Sequence, residues 1–268
     1  MRLVWRSILT RLAGEIGELE RRPAHRMQSA EEASLDAWLE KYSPYLVPAR
    51  SISYYNKGDV LGVMLDLAVR DGSHGTASLR DVFRWMNQNY AQKGRPFPDS
   101  DGVRQAAETV SHANFAWFFQ KYVAGTEEIP WDDFLKSVGL HLLRQSTITA
   151  EPGFWAVRNS DAPPLVSGLA QDSDAGFAGL AVGDSILEIN GRVTSSDFRQ
   201  QLAELQPGET LHLLIRRDGR ERQIAWKMRS REDLEFELKD LDSVTPQQKA
   251  RRAAWLSGQD QAPDEPHP

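Results

Sequence analysis

Six residues, Ile52–Lys57 (ISYYNK), place two adjacent tyrosines and a lysine at the mouth of an apolar run that extends to Val69. A phenol with a pKa near about 10 keeps its proton at neutral pH and donates a hydrogen bond to an oxyanion. Fixed at the start of a buried helix, such a hydroxyl is a pre-organised donor for charge that develops in a reaction. Read alone, Tyr55-Asn56-Lys57-Gly58 is core packing or helix capping, and only its wider context favours chemistry. Other chemistries find less support. The six histidines, at 25, 74, 112, 141, 212 and 267, include no H-E-x-x-H pair and none lies three to five residues from another. Tetrahedral zinc sites show such local spacing, so no metal site is expected from this chain alone. No G-x-S-x-G, P-loop or dinucleotide fingerprint occurs. The acidic pairs Glu127-Glu128 and Asp132-Asp133 flank a helix start and complement its dipole.

The elements that must hold the tyrosines read as helices. Leu3, Ile8, Leu12, Ile16 and Leu19 form an amphipathic N-terminal helix, and its arginines 6 and 11 interrupt any signal-peptide core. Ser29 with Glu32, and Ser78 with Asp81, have the spacing of capping boxes. SPYLVPARS, with two prolines, reads as a loop before the tyrosines. From Val60 to Val69 apolar residues cover every helical face, which predicts a helix buried on all sides. Later helices pass through Leu79–Tyr90 and Val103–Val110, then end near Gly125 and Gly139, with short loops between them.

Near residue 145 the pattern changes to short alternating runs. Ile186–Ile189 precedes an Asn190-Gly191 turn, and Leu211–Ile215 returns through Asp218-Gly219 to Ile224–Trp226. The chain has 268 residues, 40% hydrophobic, enough for about two domains. A net charge of −6 argues against general nucleic-acid binding. The absence of cysteine removes disulfides and thiolate chemistry and leaves the compartment, cytoplasm or periplasm, open. No run approaches the ~18 apolar residues of a membrane span.

The series SISYYNKGDVLGVMLDLAVRD, then FFQKYVAGTEEIPWDDFLKSVGL, then an α+β module resembles the C-terminal portion of the M61 family, the glycyl aminopeptidase-type zinc peptidases. The resemblance implies a helical, thermolysin-like C-terminal half over 1–148, with Tyr55 donating to the tetrahedral intermediate while zinc-activated water attacks. Tyr54 becomes its substrate-facing or packed neighbour. Family members carry H-E-x-x-H and a glutamate ligand ahead of this segment. The expectation is therefore a fragment or non-catalytic remnant, with no zinc in this chain and no peptide hydrolysis by it alone.

Residues 149–229 resemble PDZ domains of HtrA-like proteases through AGLAVGDSILEING and PGETLHLLIRRDG. The resemblance implies a β-sandwich or barrel module that accepts a C-terminal peptide as an added strand. Its carboxylate loop and strand fall at Gly153, Phe154, Trp155 and Ala156. Its helix, about Ser196 to Leu205, offers Phe198, Gln201 and Leu202 to the groove, and Trp155 either fills that groove or stacks on the ligand. Residues 230–268 read as a charged extension that docks a strand or helix and has a disordered end. The alternative reading is a non-catalytic, peptide-binding interaction protein.

Overall fold

The computed structural model describes residues 2–39, 50–158, 162–170, 172–194 and 198–260. The chain divides into two compact units. One comprises residues 1–145 together with 235–268, the other residues 146–234.

The first unit is mainly helical: α1 (Arg2–Glu20), α2 (Ala30–Leu39), α3 (Tyr54–Gly72), α4 (Leu79–Asn89), α5 (Asp99–Ser111), α6 (Ala116–Phe118) and α7 (Trp131–Leu135). α6 runs into a π-helical turn at Phe119–Val123. Both expected capping boxes form. Ser29 N–H donates to Glu32 Oε2 at 2.8 Å, and Glu32 N–H returns to Ser29 Oγ at 3.1 Å. Ser78 and Asp81 make the same reciprocal pair at the start of α4. Each satisfies orphan donors of a first helical turn.

α3 is the central element, and its buried residues include Val60, Leu61, Met64, Leu65, Leu67 and Val69. Burying such side chains stabilises the unit by roughly 1.5–3 kcal/mol each. The helix is not buried on every side. Tyr55, Gly58, Asp59 and Asp71 are exposed, and Val63 and Ala68 only half-buried. Small and acidic residues at these positions open one face that the apolar count had hidden. Ile8 of α1 is likewise exposed, while Leu12, Ile16 and Leu19 enter the core. The SPYLVPARS segment lies almost wholly outside the described residues, as does the chain end expected to be disordered.

The charged segment after Arg229, expected to dock a strand or helix, supplies one of each among the described residues. Strand β8 (Arg229–Asp240) pairs with β1 (Leu140–Glu151) in a two-stranded sheet. The helix α10 (Pro246–Ser257) begins in a Thr245–Gln248 capping box. Arg252 of α10 donates to the carbonyls of Val138 (2.8 Å) and Gly139 (2.7 Å), closing the C-terminal end of the α7 turn. Arg251 pairs with Asp71 at 2.8 Å.

The second unit contains β2 (Phe154–Val157), β3 (Leu165–Leu169), α8 (Asp174–Phe177), β4 (Ser185–Ile189), β5 (Arg192–Val193), α9 (Phe198–Ala203), β6 (Thr210–Arg217) and β7 (Arg220–Lys227). Its sheet has the antiparallel order β2-β3-β4-β6-β7, with β5 also paired to β4. Among the described residues the strands form no closed barrel, because the order has two ends. Val166, Ile186, Leu211, Leu213 and Ile215 form the core beneath this sheet. Asp184, 1% exposed, accepts Ala181 N–H at 2.9 Å and two Arg217 bonds at 2.6 Å.

Candidate functional site

The mouth of α3 is a polar nest under one exposed phenol. Ser53 caps the helix by accepting Asn56 N–H at 3.2 Å. That cap fixes the first turn and sends Tyr55 outward, where it is 71% exposed. Tyr54 packs against the helical core, and the two rings lie 4.1 Å apart with planes tilted by 34°. The arrangement separates the tyrosines, one packed and one open.

The next two residues turn the other way. Asn56 is buried, and its Nδ2 donates to Glu15 Oε2 at 2.7 Å and to the Glu15 carbonyl at 3.0 Å, tying α3 to α1. Lys57 is only 2% exposed, and its Nζ donates to the Gln28 carbonyl at 3.4 Å. Burial lowers the Lys57 pKa from its ordinary 10.5 to about 8, opposed in part by the carboxylate of Glu32. Gln28 in turn accepts Ile52 N–H at 3.0 Å and donates to Asp36 at 2.8 Å. The chain on either side of Tyr55 is therefore anchored to α1 and to the start of α2. Sequence reading did not assign burial to Asn56 or Lys57, because polar side chains at a helix start ordinarily face water. The available signal was the helical spacing from Lys57 to Val60, Leu61 and Met64, which puts the lysine on the buried face.

Residues 4–61 match the sequence family described as M61 glycyl aminopeptidase. The M61 resemblance holds. The match includes the whole tyrosine mouth and the two helices, α1 and α2, that anchor it. An aminopeptidase N family protein from Idiomarina loihiensis is similar in structure, with a TM-score of 0.67 at 19% identity. The similarity covers 94% of this chain and 44% of that protein, so this chain spans under half its length. At this identity the likeness is one of fold. Partial likenesses to PDZ-containing structures also occur. The HtrA3 PDZ domain bound to a phage-derived ligand matches 34% of this chain at 20% identity and a TM-score of 0.26, covering 92% of that domain. A serine endoprotease from Yersinia pestis matches 31% of this chain at 26% identity and a TM-score of 0.27, covering 29% of that protein. No curated protein matches the sequence.

The M61 resemblance implies zinc, and the described residues do not fit it. Among the described residues no three histidine, cysteine or acidic side chains gather into a metal site. His25 Nδ1 faces the Arg22 carbonyl oxygen at 2.7 Å.

In the second unit, β2 is the terminal strand of the sheet, paired on one side with β3. Gly153 precedes it at φ +79°, where a Cβ would meet Ser173 Cβ at 3.0 Å, so glycine is required by both conformation and space. Phe154 is buried in the core and Ala156 packs against it, whereas Trp155 and Val157 are exposed. The Trp155 ring covers its cross-strand partner Gly168, where an added Cβ would lie 3.1 Å from the ring. The indole is thus on the outer face of the sheet and does not fill a groove on the core side. Phe198, expected in the groove, is 4% exposed and spent on packing. Gln201 Nε2 donates to the Val193 carbonyl at 3.2 Å, which ties α9 to β5, and Leu202 is half-buried against the core. The residues expected to begin that helix, Ser196 and Asp197, lie outside the described residues.

Proposed function

We propose that this chain forms the tyrosine-bearing helical part of an M61-type aminopeptidase, which removes small N-terminal residues from peptides. The observation that carries the reading is Tyr55: an exposed hydroxyl on a first turn immobilised by the Ser53 cap and by buried Asn56 and Lys57. The hydroxyl donates to the carbonyl oxygen of the scissile bond as negative charge develops there, and a fixed donor stabilises that charge without reorganising. Tyr54 sets the position of the Tyr55 ring through their 4.1 Å contact. The metal and the general base come, in this reading, from polypeptide other than these 268 residues, and no step is assigned to them here. These residues alone then hold no stoichiometric zinc and cleave no glycyl substrate. Elemental analysis and an aminopeptidase assay of the purified chain check this. In the complete enzyme, Tyr55→Phe lowers kcat by about 10²-fold or more. Full activity in that variant would refute the assignment.

A second activity belongs to the residue 146–234 unit, supported by an edge of β2 that pairs with no strand among the described residues and by the left-handed Gly153 before it. An extended peptide adds beside β2 through main-chain hydrogen bonds, with Ala156 and Leu202 as the side chains that select among ligands. Titration with a C-terminal peptide library tests this. Saturable binding weakened by Leu202→Arg supports it, and a flat response rejects it.

A further inference from the structure

A cavity of about 380 Å3 opens in the helical unit at the far end of α3, about 20 Å along the helix axis from Tyr55. Leu67 and Ala68 of α3 line it on one side and the aromatic side chains of Trp117, Tyr122 and Phe134 on another. The rings hold one another in place. Trp117 lies 6.1 Å from Phe134 with planes 24° apart, and meets Tyr122 edge-on at 6.2 Å. Trp117 Nε1 also donates to the Asn114 carbonyl at 3.0 Å, so the indole is fixed although 41% of the residue is exposed.

Charge at this cavity is uneven. Of its two carboxylates, Asp71 is neutralised by Arg251. Asp133 makes no ion pair or side-chain hydrogen bond among the described residues. The nearby Lys121 is committed to Glu127 at 3.0 Å. Burial pushes the Tyr122 phenol pKa up, Lys121 pulls it down, and the carboxylates of Glu127 and Asp133 add to the rise, so the hydroxyl is a neutral lining group. A concave site with aromatic walls and one exposed carboxylate that has no protein partner among the described residues is complementary to an organic cation.

We propose that this cavity binds a small organic ammonium ion, with the charge against Asp133 and the hydrocarbon body against Trp117. The site is separate from Tyr55 and independent of the peptidase reading. Phenethylammonium and its neutral isostere phenethyl alcohol are the probes, titrated calorimetrically into the full chain. The ammonium is expected to saturate and the alcohol to bind at least about tenfold more weakly. Asp133→Asn weakens the ammonium by about tenfold and leaves the alcohol unchanged; Trp117→Phe, a smaller ring that keeps the aromatic wall, weakens both by a few-fold. Circular dichroism establishes that each variant is folded. Absence of saturation by about 10 mM, equal binding of both probes, or an Asp133→Asn variant that binds as wild type would each overturn the proposal.

Discussion

Lys57 makes the anchoring of the tyrosine mouth measurable. Its ammonium is buried, with one 3.4 Å bond to a carbonyl and one neighbouring carboxylate, Glu32, to offset the loss of water. Its pKa falls from 10.5 to about 8 in the folded chain. Below pH 8 both folded and unfolded chains carry the proton, and the buried charge costs the fold its full penalty, about 3 kcal/mol at 1.36 kcal/mol per pKa unit. Between pH 8 and 10.5 the unfolded chain binds more protons than the folded one, so this group makes stability rise with pH. By pH 10 the recovered stability is about 2 kcal/mol. Other groups titrate in the same range, so the informative quantity is the difference between wild type and Lys57→Met. Urea unfolding of both at pH 7 and pH 10 should show wild type gaining about 2 kcal/mol on the variant. Loss of the Gln28 bond in the variant shifts both points alike and cancels. A difference that stays flat, within about 0.5 kcal/mol, refutes a desolvated ammonium at this position. Glu32→Gln removes the opposing charge and moves the rise to lower pH.

Three further outcomes follow from contacts described above. Arg217→Ala leaves the Asp184 carboxylate buried without its cation and destabilises the 146–234 unit by about 3 kcal/mol, read by urea unfolding. Burial pushes the Asp184 pKa up, but the Arg217 and Ala181 hydrogen bonds outweigh it and hold the group below the ordinary carboxylate value. That stabilisation is present above the unfolded pKa and fades as pH falls through the folded one, so Arg217→Ala also flattens the acid limb of the stability curve. Gly139→Ala strains a φ of +69° and drives a Cβ to 2.5 Å from Val244 Cγ1, lowering thermal stability by about 2 kcal/mol. Tyr55→Phe, by contrast, changes stability by less than about 0.5 kcal/mol, because the residue is exposed.

The helical unit was largely legible because its signals are local. Ser29 with Glu32 and Ser78 with Asp81 specify helix starts within four residues, and Asn190-Gly191 and Asp218-Gly219 specify turns within two. What escaped the sequence was set by partners far along the chain. Lys57 is buried against Gln28 and Asn56 against Glu15, and neither separation leaves a pattern. Trp155 was expected to fill a groove or to stack on a ligand; strand alternation sends its ring outward beside Phe154, which faces in. Asp133 read as a helix-dipole residue, and only the folding of α3 beside α7 brings it to an aromatic cavity. The C-terminal segment read as a docked strand or helix, but its partner was not legible, because β1 lies about 90 residues earlier.

The clamp between α10 and the α7 turn has a consequence for biosynthesis. Arg252 bonds to Gly139 across 113 residues of sequence, and the intervening chain contains all of the 146–234 unit. A ribosome therefore delivers the last pieces of the helical unit only after the whole sheet unit has emerged. The sheet unit has its complete sequence first and folds while α3 and the α7 turn still await their final cover. The helical unit, although most of it precedes the sheet unit in sequence, is finished after it.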